Sequence, residues 1–107
     1  MPKTPAGPTV FLDRDGVINR DSPDYITSWD QFQFLPGSLA AIRRLTAAGR
    51  AVIVITNQSA VGRGMMDAAT LEQIHRNLCR EVAAHGGRIA AIFHCPHHPD
   101  AANPRRD

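Results

Sequence analysis

Three short apolar runs punctuate the chain. Val10-Phe11-Leu12 ends abruptly at Asp13. Residues 51–55, AVIVI, end in Thr56-Asn57-Gln58-Ser59. Residues 89–93, IAAIF, end in His94-Cys95. Their apolarity is continuous rather than alternating, which predicts strands covered on both faces, as in a parallel sheet. Helical spacing lies between them. Leu39, Ile42 and Leu45 recur every three residues after Pro36-Gly37 and before Gly49. Leu71, Ile74, Leu78 and Val82 follow at spacings of 3, 4 and 4, with Asp67 as N-cap and Gly86-Gly87 as the stop. The order β-α-β-α-β predicts an α/β fold, a Rossmann-like parallel sheet flanked by helices with right-handed crossovers.

That topology places the C-terminal ends of all strands on one rim, where such folds bind ligands. All three runs end in chemically capable residues, and nothing comparable sits at their other ends. The stretch from residue 13 to 37 is long for a strand–helix connection, where about 2–6 residues are usual. Its Tyr25, Trp29, Phe32 and Phe34 suit either a lid over the rim or an extra structural hairpin. No repeat or second domain is visible. Residues 1–8 read as a flexible leader, 9–100 as the domain and 101–107 as a polar tail.

Composition narrows the class. The 107 residues suffice for one domain, and 43% hydrophobic with 21% charged residues is ordinary for a globular protein. A net charge of +2 without aromatic–basic interleaving argues against nucleic acid. No apolar stretch reaches the roughly 18 residues of a membrane span, and no secretory signal precedes the first run. Two cysteines, Cys79 and Cys95, make no disulfide framework, so a cytoplasmic setting is expected.

Asp13 and Asp15 then stand out. Taken as a dipeptide they suit a turn before Gly16. Taken at a strand end they suit chemistry. The first carboxylate can attack phosphorus, and the second can protonate the leaving group and later deprotonate water. Two such anions about 4 Å apart repel by about 4 kcal/mol at an effective dielectric of about 20, so a hard cation such as Mg²⁺ belongs with them.

The string FLDRDGVIN resembles the first motif of the haloacid-dehalogenase-like (HAD-like) phosphatases. VITNQSAVGRG at 54–64 and HCPHHPD at 94–100 extend the resemblance to the subfamily of heptose 1,7-bisphosphate and histidinol-phosphate phosphatases, over roughly residues 9–100. The resemblance implies that Asp13 is the nucleophile and that Asp15 is the general acid/base. It also implies that both ligate Mg²⁺, Asp15 through its carbonyl. Thr56 matches the phosphate-binding hydroxyl, with Asn57, Gln58 and Ser59 beside it. Asp21 to Tyr25, Asp21 and Asp24 included, match the substrate-facing part of the long loop. Arg63 matches a basic residue expected on phosphate or substrate, against its plain reading as a solvated arginine. Ala60 stands where the subfamily usually has glycine, which requires a backbone open to an L-residue. Cys95-Pro96-His97 matches half of a Cys-x-His…Cys-x-Cys zinc site, so Cys95 and His97 are a two-ligand half-site. Closed structural zinc takes four ligands.

The family's later lysine and Gly-Asp motifs have no counterpart. The single lysine, Lys3, precedes the first strand. The expected fold is therefore the N-terminal part of such a phosphatase, stopping after about three core strands, with Val10–Leu12 left as an exposed edge. Three functions follow. One is a Mg²⁺-dependent phosphatase of a phosphorylated sugar, most directly the 7-phosphate of a heptose bisphosphate used in lipopolysaccharide precursors. The second is a histidinol-phosphate phosphatase. The third is an inactive fragment that keeps phosphate or metal binding. A monomer is expected from the family.

Overall fold

The structure is a computed structural model describing residues 7–95. The expected leader (1–8) falls almost wholly outside that range, as do His97, the end of the third motif and the 101–107 tail. Three strands, β1 (Val10–Asp13), β2 (Val52–Asn57) and β3 (Ala91–Cys95), form a parallel sheet in the order β1-β2-β3. Three helices connect them: α1 (Ser38–Ala47), α2 (Ser59–Gly62) and α3 (Ala68–Ala84). The α/β class is as expected.

Strand ends differ from the apolar runs in an instructive way. β2 continues through Thr56 and Asn57 because the ladder does, pairing Thr56 with His94 and Asn57 with Cys95. β3 begins at Ala91, two residues later than its apolar run, so His94 and Cys95 lie in the strand rather than after it. Register, not hydrophobicity, sets these ends.

α3 follows its sequence signals. Asp67 accepts the Thr70 amide at 2.7 Å through Oδ1, the N-cap bond that its residue type predicts. Leu71, Ile74, Leu78 and Val82 are buried on one stripe, and His75 is buried with them. α1 buries Ile42. The two helices meet near Gly87, where a Cβ would come within 3.0 Å of Ile42 and Val82, so only glycine lets the chain pass so close.

Because β1→β2→β3 steps in one direction, right-handed crossovers put both long helices on the same side. The burial pattern agrees. Val52, Val54 and Thr56 are buried, whereas Phe11, Ile55 and Phe93 on the opposite face are exposed, Phe11 at 62% and Phe93 at 59%. Cover on both faces is thus met, among the described residues, on the helix-bearing face alone.

The long loop is not a lid in this structure. Residues 18–20 pair with 33–35 through Leu35 N–H to Ile18 O (2.9 Å) and Arg20 N–H to Gln33 O (2.8 Å). Phe32 stacks on Trp29 at 4.8 Å and meets Phe34 edge-on at 5.1 Å. Such pairs contribute about 0.5–1.5 kcal/mol each beyond area burial. Ile18, Ile26 and Phe32 join the core. The structural-hairpin reading describes the aromatics; the tip around Asp21–Tyr25 stays at the surface.

Candidate active site

Asp13 closes β1, and its carboxylate is exposed at the rim with no side-chain hydrogen bond or ion pair among the described residues. The chain then turns sharply. Arg14 O accepts the amides of Val17, Ile18 and Asn19 at 2.8–3.2 Å, and Gly16 N–H donates to Asn19 O at 2.7 Å. Gly16 has φ +87°, a conformation that glycine adopts without strain. This knot carries Asp15 back toward the strand ends.

The Asp15 carboxylate is the hub. Its Oδ1 accepts from Arg14 Nη2 (2.7 Å), Arg14 Nε (3.1 Å) and Asn19 Nδ2 (2.9 Å). Its Oδ2 accepts from Gln58 Nε2 at 2.9 Å, and the same Nε2 donates to Thr56 Oγ1 at 2.7 Å. One side chain thereby links the end of β2 to the turn after β1. Arg14 has no exposed surface. A buried guanidinium is stable only when paired, and Asp15 supplies the counter-charge. Phe32 lies beneath it, 5.5 Å from ring centroid to guanidinium carbon. Asn19 is buried too, and its Oδ1 has no partner.

The structure therefore gathers Asp15, Thr56 and Gln58 into one network. It adds Arg14, Asn19 and His75, which sequence reasoning did not single out. A signal existed for each. Arg14 must point opposite to Asp13 in an extended strand end, Asn19 sits four residues after Asp15, and His75 falls on the apolar stripe of α3.

Other expected site residues stand apart from this network. Asn57 is exposed beside Cys95 in the sheet register. Ser59 is half-buried at the start of α2. Asp21 and Asp24 are exposed; Asp21 Oδ1 accepts the Ser22 amide (2.8 Å) and the Asp24 amide donates to Ser22 Oγ (3.2 Å). Arg63 is exposed, with its guanidinium 5.9 Å from the Tyr25 ring centroid, so it leans on the loop tip rather than standing free in solvent. Tyr25 is the one described non-glycine residue with positive φ, +67°. Ala60 is buried in α2, where helical backbone suits an L-residue, so its replacement of glycine costs nothing in loop geometry.

Oxygen donors at the rim, an exposed carboxylate on Asp13 and the backbone turn at Asp15, match the chemistry of a hard divalent cation. The Cys95 side chain is half-buried. Among the described residues no three His, Cys, Asp or Glu side chains gather as a metal cluster. No described helix is long and apolar enough to cross a membrane.

The fold has counterparts among solved structures. A HAD-like protein of Mesorhizobium loti superposes over 91% of this chain and 46% of its own, with TM-score 0.80 and 31% identity. In sequence and fold the chain is similar to the N-terminal part of haloacid-dehalogenase-like phosphatases. Higher identity is found with particular members. The D,D-heptose 1,7-bisphosphate phosphatase of Bordetella bronchiseptica, solved with magnesium and phosphate, gives TM-score 0.86 at 48% identity over 91% of this chain and 54% of its own. In sequence, the D-glycero-beta-D-manno-heptose-1,7-bisphosphate 7-phosphatase of that organism is 52% identical over 91 residues, 85% of this chain. The chain spans about half the length of the curated relatives it matches, 51% for this one. A comparison with protein-family models finds no match.

Proposed function

We propose that the rim is a phosphoryl-transfer site for a phosphorylated sugar, that of a D-glycero-D-manno-heptose 1,7-bisphosphate 7-phosphatase. The observation that carries this is the division of labour between the two aspartates: Asp13 is exposed at the strand end with no side-chain partner among the described residues, whereas the Asp15 carboxylate accepts four side-chain hydrogen bonds. A nucleophile needs an open lone pair; an acid/base needs a defined position. The heptose activity named for the Bordetella relative supports this substrate over histidinol phosphate.

Asp13 attacks phosphorus, and the bond to the sugar oxygen breaks. Asp15, protonated on Oδ2 when the substrate is bound, gives that proton to the sugar oxygen. Asp15 then takes a proton from water as the water oxygen attacks the aspartyl phosphate, releasing phosphate and restoring Asp13. Thr56 binds a phosphate oxygen through its hydroxyl, and Asn57 and Ser59 border the same strand end. Asp21 and Asp24 face the sugar from the loop tip, and Arg63 does so from the end of α2, against Tyr25. Mg²⁺, held by Asp13 and the Asp15 carbonyl, would neutralise the meeting of carboxylate and phosphate. Free Cys79 and Cys95 support a cytoplasmic setting.

Phosphate release by the purified chain from a heptose bisphosphate and from histidinol phosphate, with and without Mg²⁺, tests this. Release from the heptose compound should fall by at least about 10³-fold in Asp13→Asn, the scale of losing a nucleophile. Faster release from histidinol phosphate would move the substrate assignment. A folded chain that binds phosphate with Mg²⁺ yet releases none would replace hydrolysis with the binding reading.

A further inference from the structure

His75 is the one polar group of the network that lies away from the rim. It sits in the middle of α3, on the stripe of Leu71, Ile74, Leu78 and Val82, and is itself buried. An apolar residue would fit that stripe at lower cost, because a buried ring nitrogen must find a partner. Its partner is Arg14. Nη1 of the guanidinium stands 3.1 Å from His75 Nε2. Arginine only donates, so Nε2 accepts, and the ring is the neutral tautomer with its proton on Nδ1. Burial first, then the facing Arg14 and the nearby His94, push the His75 pKa down to about 4, against a smaller opposing pull from Asp15.

The guanidinium is thereby held along two edges. Nη1 goes to α3, while Nε and Nη2 both go to Asp15 Oδ1. With Asn19 also on Oδ1, that oxygen is fully committed, and Oδ2 is left with Gln58 alone. The carboxylate consequently has a chemically committed oxygen and an available one, and the available one faces the end of β2.

We propose that His75 is a positioning residue: as a neutral acceptor on α3 it clamps Arg14, and through Arg14 it fixes the Asp15 carboxylate so that Oδ2 is the oxygen presented for proton transfer. The consequence for catalysis rests on the proposed phosphatase reading. The clamp itself does not, and it has a readout that needs no turnover.

The experiment uses the full chain, ¹⁵N-labelled, as wild type, His75→Leu and His75→Gln. Leucine fills the space without an acceptor; glutamine returns one. The Arg14 Nε–H should exchange with water about tenfold faster or more in His75→Leu and return to near the wild-type rate in His75→Gln. With heptose bisphosphate, His75→Leu should lower kcat about tenfold or more with KM held, and His75→Gln should restore most of it. Slow Arg14 exchange persisting in folded His75→Leu would overturn the clamp, as would leucine and glutamine variants that behave alike. If His75→Leu does not fold, His75→Gln decides: preserved Arg14 protection upholds the clamp, and its loss ends it. A wild-type chain without phosphate release whose Arg14 exchange responds as expected leaves the clamp standing and sinks the hydrolase reading alone.

Discussion

At the scale of single residues, the site is built around hydrogen-bond direction. Gln58 Nε2 must face Asp15, because the amide oxygen there would meet a carboxylate. Thr56 Oγ1 accepts from that amide, which leaves the hydroxyl proton of Thr56 to donate outward, the sense an incoming anion requires. Removing the amide in Gln58→Leu should weaken inorganic phosphate binding about tenfold, measured by calorimetry with Mg²⁺ present. His75 makes stability pH-dependent. Its pKa is depressed in the fold to about 4 from an ordinary 6.5, so between those values the unfolded chain binds the extra proton. Stability from this group is complete above about pH 6.5 and is lost as pH falls toward about 4. Arg14 and Asp15 from the turn and His94 from β3 are the charged or titratable groups facing it. Urea unfolding midpoints should change little between pH 7.5 and 6.5 and then fall through pH 5.5 and 4.5, and His75→Gln should flatten that decline. Asp13, Asp15 and Thr56 were legible in the sequence because each stands at the end of an apolar run. Arg14 and His75 were harder to read: opposition to Asp13 and a place on the α3 stripe mark them as inward-facing but name no partner, and only the fold, across 61 positions, brings them together.

Among the elements, α3 is the one most completely written in its residues. A capping aspartate, a stripe at spacings of 3 and 4, and a glycine pair predict it, and the helix obeys them. Asp67→Ala should lower the melting temperature and the helical circular dichroism, since the cap bond to Thr70 disappears. Hydrogen bonding from the Thr70 side chain, and then from its backbone amide, holds the Asp67 carboxyl below its ordinary range, so the cap's contribution, present above the unfolded value, fades as pH falls through the folded one. Leu78→Ala, at a fully buried site in the core, should cost about 2–5 kcal/mol by denaturant titration. The exposed Arg76–Glu72 pair on the same helix contributes little. Strand ends were less legible. The ladder carried β2 through two polar residues and slid β3 toward Cys95, and pairing of that kind leaves no trace in hydrophobicity. The short α2 was missed for a similar reason: Ser59–Gly62 is one turn set by the bend out of β2, with Val61 N–H on Gln58 O (3.1 Å) and Arg63 N–H on Ser59 O (2.9 Å).

On the scale of the whole molecule, one-directional strand order is the governing fact. It stacks both long helices on one side and leaves Phe11, Ile55 and Phe93 on the other. An exposed apolar area of this kind favours aggregation, so Phe11→Lys/Phe93→Lys should raise solubility and lower binding of a hydrophobic dye, with the melting temperature little changed. The parallel class was legible because the runs are continuously apolar. Which face the helices would cover was not, because that depends on the sense of strand addition rather than on any residue. The same order makes β1 an edge among the described strands, and Asp13 therefore stands in open water. Its field reaches only about a Debye length, roughly 8 Å at physiological salt and 3 Å at 1 M. Whatever cation or phosphate Asp13 holds is consequently held more loosely as ionic strength rises, while the Asp15 cluster, closed in by Arg14 and Gln58, is almost indifferent to it.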